Sequence, residues 1–176
     1  VYTDITDRKK NEITVIRQQD ALRALNEIAS IPVFDAEEQL RSALLIGSRY
    51  LGLSCGNVSR VQGNQYQVKI NVGQQCNRDL LAPLSNYFCE VTLLNNKLFC
   101  CDEISNSEYA NHYAYKNNKV DTYIGVPILV QGKNYGVLSF YSEHSRYQAY
   151  DDLDKDFIQL LARWVCVALE RWQYQS

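Results

Sequence analysis

The sequence has little of what catalytic and metal sites are built from. It contains two histidines, His112 and His144, and no methionine among 176 residues. No serine stands in a nucleophile-elbow pattern, no glycine-rich phosphate loop is present, and no H-E-x-x-H motif occurs. These absences leave no catalytic residue and no metal ligand to nominate. The sequence therefore predicts a chain that is not itself an enzyme.

Long apolar runs and an excess of one charge are also absent. No stretch approaches the ~20 apolar residues of a membrane helix, and no signal peptide opens the chain. The formal net charge is −2 and the pI is near 5.7, so no basic footprint for nucleic acid exists. We predict a cytoplasmic domain with neither a membrane nor a nucleic-acid partner. Its start at Val1, without an initiator methionine, predicts a segment of a longer protein.

Six cysteines occur without the spacing of a zinc site, since no C-x-x-C pair is present. They are Cys55, Cys76, Cys89, Cys100, Cys101 and Cys166. With no secretion signal, we interpret them as reduced thiols. If the run from Leu98 to Cys101 is a strand, Cys100 and Cys101 point to opposite faces, and at most one of them faces a pocket. The redox role of this pair stays open.

Two helices are predicted first. From about Asp7 to Ser30, a loose and nearly heptad apolar stripe favours either a solvated connector helix or a coiled coil that pairs two subunits. The second helix begins after Asp35, an N-cap whose partner in a capping box is Glu38, and it ends at Gly52. Its apolar face consists of Leu40, Leu44, Gly47 and Leu51.

A hairpin follows, with strands at about 53–62 and 65–72 that reverse at Gly63 and Asn64. Apolar and polar residues alternate along the second strand, which predicts one packed face and one wet face. The predicted packed face consists of Tyr66, Val68, Ile70 and Val72.

Short elements fill the middle of the chain. After a loop at 73–84, we predict a helix from Ser85, its N-cap, to Leu94, and then the short strand that contains Cys100 and Cys101. The polar, tyrosine-rich stretch 102–120 predicts only one or two helical turns, near 109–115. A long irregular stretch inside a compact domain is usually functional or mobile.

The segment 123–169 predicts the core. Its first apolar strand contains Pro127, which lacks a backbone donor and indicates an edge, a bulge or a cavity. A turn at 131–134 leads into a second strand and a final amphipathic helix. The helical stripe consists of Leu153, Phe157, Leu160, Leu161, Trp164 and Ala168. The sequence therefore predicts an α+β domain, an antiparallel sheet with helices on one face and an irregular cover on the other.

The C-terminal segment resembles the second half of a GAF domain, of the type common in cyanobacterial and other bacterial sensor kinases, in the run YIGVPILVQGKNYGVLSFYS and the helix DKDFIQLLARWV. An earlier run, EQLRSALLIGSRYLGLSCGNVSRVQGNQYQV, resembles the first helix and hairpin of that family. The opening VYTDITDRKKNE resembles the end of a PAS module. The resemblance implies a PAS remnant and connector helix at 1–33, a GAF domain at 34–172, and a tail at 173–176 that leads to an output domain.

The resemblance implies a six-stranded antiparallel sheet with helices on one face and a ligand pocket, covered by loops and helix, on the other. GAF domains bind cyclic nucleotides, bilins, haem or small metabolites, and they often dimerise through their terminal helices. Bilin-binding relatives carry a cysteine directly before a histidine. Here Asn111 precedes His112, so a bilin thioether at that position is excluded and the cofactor is unknown.

We expect a noncatalytic sensory domain of a histidine kinase or similar protein. It binds a small ligand, forms a homodimer through its N- and C-terminal helices, and relays a signal between adjacent PAS and output domains. Three alternatives are a dimerisation module without ligand, a thiol-based redox or metal sensor using Cys89, Cys100 or Cys101, and an enzyme of methionine-sulfoxide-reductase type. The predicted pocket residues are Cys55, Asn57, Phe88, Cys89, His112, Tyr115, Tyr123, Pro127 and Phe140.

Overall fold

The structure, a computed structural model, describes residues 2–32, 35–73, 80–146 and 148–175. Cys76 and the predicted domain boundary at residue 34 lie outside the described residues. The helices within these ranges are α1 (Tyr2–Ala29), α2 (Ala36–Leu51), α3 (Cys89–Asn95), α4 (Tyr113–Lys116) and α5 (Asp152–Gln175). The strands are β1 (Cys55–Gln62), β2 (Gln65–Val72), β3 (Ala82–Pro83), β4 (Phe99–Cys101), β5 (Thr122–Val130) and β6 (Lys133–Ser142). Short 3₁₀ turns occur at Leu84–Asn86 and Ile104–Asn106.

The strands form one six-stranded antiparallel sheet in the order β3-β2-β1-β6-β5-β4. Helices α2 and α5 pack on one face of the sheet, and α1 packs against both. Helices α3 and α4 and the irregular stretch between them lie on the other face. The predicted α+β architecture is therefore confirmed.

Strand β6 separates two hydrophobic cores, because successive side chains of a strand point to opposite faces. Leu138 and Phe140 are fully buried in the core beneath α2 and α5. Val137 lies in a second core, beneath α3 and α4. Cys100 and Cys101 pack against the first and second core respectively, so their predicted divergence is confirmed.

A shift in register within β2 overturns the prediction of one packed face for that strand. Val58 of β1 pairs with Ile70, whereas the next residue, Ser59, pairs with Val68. Lys69 is thus an extra residue, as in a β-bulge, and side chains beyond it change face. Ile70 and Val72 lie in the core beneath α2 and α5, whereas Tyr66 and Val68 lie in the opposite core. Both faces of β2 are packed.

The predicted N-cap of α2, Asp35, is confirmed, but its capping box and the predicted start of α3 are wrong. The Asp35 carboxylate accepts a hydrogen bond from the backbone N–H of Glu37 at 2.9 Å, while Glu38 pairs with Arg41 at 2.6 Å, so no capping box forms. The helix predicted to begin at Ser85 begins at Cys89, because a 3₁₀ turn precedes it. Leu94, near its end, is 79% exposed.

The stripe predicted for α5 is also only partly correct. Phe157, Leu161 and Ala168 are buried, but Leu160 is 44% exposed. The buried face is completed by Ile158, Val165 and Leu169. In the described part of the chain, no helix combines the length and apolar composition needed to cross a membrane.

The ring of Phe140 occupies the narrow space between α2 and the sheet. A Cβ atom added at Gly47 of α2 would lie 2.7 Å from Cζ of Phe140, and one added at Gly56 of β1 would lie 2.8 Å from Cε1. These distances are shorter than any normal carbon contact, so both positions require glycine for α2 to approach the sheet.

We predict that Gly47→Ala destabilises the domain by about 1–3 kcal/mol, because overpacking of the Phe140 ring outweighs the higher helix propensity of alanine. Urea unfolding followed by circular dichroism measures this. Leu45→Ala, at an exposed position of the same helix, is the control and should change stability by less than about 0.5 kcal/mol. A stabilised Gly47→Ala variant would contradict the packing argument.

Candidate functional site

A cavity of about 450 Å³ lies between the sheet and its cover. Strands β1, β2, β5 and β6 supply its floor, while α3, α4 and residues 117–120 supply its walls and rim. The lining residues are Asn57, Tyr66, Tyr87, Phe88, Cys89, Ala114, Asn117, Asn118, Lys119, Val120, Tyr123, Ser139, Tyr141 and Glu143.

The floor carries neutral hydrogen-bonding groups. The Asn57 amide donates to the Tyr141 hydroxyl at 3.1 Å. The Tyr123 hydroxyl lies 2.9 Å from Oγ1 of Thr92 and donates to Sγ of Cys89 at 3.7 Å. Burial raises the pKa of Cys89, and it raises the pKa of Tyr123 well above the usual value for tyrosine. These groups are therefore uncharged at neutral pH.

Aromatic rings form much of the wall. Tyr66 and Tyr87 stack with ring centroids 3.8 Å apart, and Phe88 and Tyr123 meet at 5.6 Å. The Tyr123 ring lies over Gly125, where an added Cβ would be 2.2 Å from the tyrosine hydroxyl. Flat apolar walls above a neutral polar floor suit a small organic molecule with a few hydrogen-bonding groups.

His112 fixes the start of the cover helix α4. Its Nδ1 accepts a hydrogen bond from the backbone N–H of Ala114 at 3.0 Å, and its ring stacks on Phe88 at 4.5 Å. Nε2 is buried without a hydrogen-bond partner and lies 3.7 Å from Oε1 of Glu90. Burial lowers the pKa of His112, although the Glu90 carboxylate acts in the opposite direction. Neutral His112 is the form that can accept the bond from Ala114.

Four of the nine predicted residues line the cavity: Asn57, Phe88, Cys89 and Tyr123. Two others, His112 and Tyr115, belong to the cover but not to the lining. Cys55 is buried at the start of β1, paired with Tyr141, and also lies outside the lining.

The prediction that Phe140 and Pro127 line the pocket is wrong. Phe140 points to the opposite face of the sheet, because its neighbours Ser139 and Tyr141 occupy the pocket face. Pro127 lines a separate open groove beside α5, together with Arg163 and others.

Several residues of the lining are not among the nine predicted ones. Ser139 and Tyr141 could have been found, since they alternate with Phe140 in β6. Tyr66 was obscured by the bulge at Lys69. Lys119 and Glu143 carry no pattern in the sequence that distinguishes them from other exposed charges. Among the described residues, no group of three or more His, Cys, Asp or Glu could hold a metal ion.

A sequence model of the GAF domain matches residues 35–169. The chain belongs to the GAF domain family. No significant match is found among curated protein sequences.

Solved GAF structures share the fold at low identity. The GAF domain of an Acinetobacter phosphoenolpyruvate-protein phosphotransferase has a TM-score of 0.70 at 13% identity, covering 90% of this chain and 96% of its own. Free methionine-R-sulfoxide reductase from Neisseria meningitidis, in complex with its substrate, has a TM-score of 0.68 at 15% identity over 92% of this chain and 93% of its own. The phycocyanobilin-bound GAF domain of a cyanobacterial phytochrome has a TM-score of 0.66 at 12% identity, with coverages of 90% and 96%.

We predict that this GAF domain loses stability as the pH falls below about 6.5, the usual pKa of histidine. The unfolded chain then binds a proton that folded His112, with its lowered pKa, does not. The loss is about 1.4 kcal/mol for each unit by which the pKa is lowered, and it saturates below the folded-state pKa. Urea midpoints measured across this range test it.

The variant His112→Asn keeps a side-chain acceptor at the start of α4 and cannot titrate, so it should remove this component of the pH dependence. The control is His144→Asn, at an exposed position, which should leave it intact. Equal pH profiles for all three proteins would rule out His112 as the responsible group.

Proposed function

We propose that this GAF domain is a sensory module of a multidomain signalling protein, such as a histidine kinase, and that it binds a small molecule in the cavity. The observation that carries the proposal is the cavity itself, about 450 Å³ of space with aromatic walls and a neutral hydrogen-bonding floor. That volume lies within the ~300–1,000 Å³ of typical ligand pockets. The Neisseria reductase and the cyanobacterial phytochrome domain, which share the fold, were both solved with a bound small molecule.

The alternatives have less support. A purely structural module would be favoured by large side chains that fill the cavity, yet Phe88 and Tyr123 border open space. A reactive thiol needs an accessible thiolate, whereas Cys89 is 2% exposed and burial raises its pKa. Burial also raises the pKa of Cys100. These features weigh against both a redox sensor and a reductase that uses Cys89 or Cys100.

A continuous series of contacts connects the pocket to the terminal helices. Tyr123 faces the cavity, while its neighbour Thr122 points to the other side of the sheet and hydrogen-bonds to the Tyr150 hydroxyl at 2.6 Å. Tyr150 lies beneath the guanidinium group of Arg146, 4.5 Å from the ring centroid. Arg146 in turn donates to the Asp154 carboxylate at 2.8 Å.

Asp154 joins α5 to α1. This carboxylate is 1% exposed, and it accepts a hydrogen bond from the backbone N–H of Asp151 at 3.1 Å. Arg17 of α1 pairs with Asp151 and lies 3.4 Å from Asp154. A ligand that displaces Tyr123 can therefore bias the packing of α1 against α5, which is the population shift expected of a sensor.

The same helices carry an apolar groove suited to a second copy of the chain. Ala21, Leu22 and Leu25 of α1 face Leu153 and Leu160 of α5 across it. Leu153, Leu160 and Val167 recur every seven residues, and the last two are 44% and 55% exposed. Exposed apolar residues at this spacing on two adjacent helices favour a helical bundle between subunits. The preceding PAS module, the output domain and a cytoplasmic location stay predictions.

We expect a small molecule to copurify with the domain from its own host, and native mass spectrometry with an absorption spectrum detects it. Asn57→Leu should reduce the bound fraction about tenfold, because it removes a buried amide from the floor. Gln62→Leu, at the exposed end of the same strand, should bind normally. A wild-type protein without added mass, and without a thermal shift in a broad metabolite screen, would refute the proposed function.

Leu160→Glu should convert the dimer to a monomer, because a charge would be buried in the apolar groove. Sedimentation velocity measures the change. Leu45→Glu is a matched control, since Leu45 is also 44% exposed but lies on α2, away from the groove. A monomeric wild-type protein, or equal effects of the two variants, would exclude dimerisation through this surface.

A further inference from the structure

Two opposite charges lie at the mouth of the cavity, Lys119 from the cover and Glu143 from the chain just after β6. Both are exposed. Among the described residues, neither has an opposite charge within 4.0 Å, including the other. They are the only charged side chains in the described lining.

The interior of the cavity contains no compensating charge. Ser139 is 1% exposed and Asn57 is 5% exposed, and the remaining groups of the floor are hydroxyl groups and the neutral thiol of Cys89. An ionised ligand group on this floor would be desolvated without an ion partner, which costs several kcal/mol. The described lining therefore favours a ligand that buries a neutral body and keeps any charge at the mouth.

The backbone of Lys119 adds an independent observation. Its φ is +59°, in the left-handed region that L-residues other than asparagine and aspartate rarely adopt. This conformation closes α4, with the N–H of Lys119 donating to the carbonyl of Tyr115 at 3.0 Å and the N–H of Val120 donating to that of Ala114 at 3.2 Å. Glycine would satisfy the same geometry with less strain. A strained residue whose side chain borders a pocket is a reason to suspect a function for that side chain.

We propose that the cavity binds an α-amino acid with an apolar or aromatic side chain. The ligand side chain packs against the wall formed by Phe88 and Tyr123, its carboxylate pairs with Lys119, and its ammonium group pairs with Glu143. A zwitterion places one charge beside each of the two mouth residues and none on the floor. This inference rests on the proposed function, since it names the class of ligand for the same cavity.

Isothermal titration calorimetry with L-phenylalanine, L-tyrosine and L-leucine tests the proposal. The tightest of the three is then compared with its deaminated acid, its decarboxylated amine and the neutral alcohol that lacks both charges. Removal of either ligand charge should weaken binding about fivefold. This corresponds to the upper end of the free energy that an exposed ion pair contributes. Lys119→Gln should weaken the amino acid and the acid but not the amine, whereas Glu143→Gln should weaken the amino acid and the amine but not the acid.

Matched controls separate this role from a structural one. Lys116→Gln changes an exposed lysine of α4 outside the lining and should leave affinity unchanged. Lys119→Gly should weaken the amino acid about fivefold while its melting temperature stays equal to or above that of the wild type, because the backbone strain is relieved.

Three outcomes would overturn the proposal. If the neutral alcohol binds as tightly as the amino acid, Lys119 and Glu143 do not contribute to affinity. The ligand class is then wrong, although the cavity is still a ligand site. If no amino acid binds while the protein from its host carries another small molecule, the ligand class is wrong and the sensory function stands. Absence of both amino-acid binding and any copurified molecule would refute the ligand class and the proposed function together.

Discussion

The packing of Phe140 against Gly47 and Gly56 sets the distance between the helices and the sheet. Because Phe140 lies on the central strand β6, the same alternation that places its ring beneath α2 places Ser139 and Tyr141 on the floor of the cavity. The helical side is close-packed and tolerates no added carbon at either glycine. The free volume of this part of the domain lies on the opposite side of the sheet, where the side chains of β6 are smaller or polar.

Long elements with a strong apolar period were predictable from the sequence, and the antiparallel order followed from two hairpins and a family resemblance. The predictions of side-chain placement fail where one extra residue moves the following side chains of a strand to the other face of the sheet. Lys69 has the same polar character in a regular strand as in a bulge, so the division of β2 between two cores could not be read from its alternation. The prediction places Phe140 on the sheet face that lines the pocket, although its position between Ser139 and Tyr141 indicates the other face. Lys119 owes its place at the mouth to a left-handed turn that no propensity favours for lysine.

The sheet also connects the cavity to the contacts of α1 and α5 on its other face. Consecutive residues Tyr123 and Thr122 extend in opposite directions from β5, so a small displacement of that strand moves a cavity wall and the Tyr150 hydroxyl together. Asp154 is a suitable end point for such a displacement, because a buried carboxylate needs its cationic partners in place. Arg146 comes from the segment before α5 and Arg17 from α1, so the geometry at Asp154 depends on both.

The position of Arg17 on α1 has a mechanical consequence. Residues 6–16 of this helix are all exposed, whereas Arg17, Ala21, Ala24 and Ile28 contact the body of the domain. At 1.5 Å per residue, the 15 residues from Tyr2 to Ile16 form a rod of about 22 Å beyond the ion pair. A tilt of about 10° at Arg17 moves the far end of the rod by roughly 4 Å, about three quarters of the 5.4 Å pitch of one helical turn. In the proposed sensor, the exposed half of α1 is therefore a lever arm, along which a small change of angle at Arg17 becomes a larger displacement at the far end.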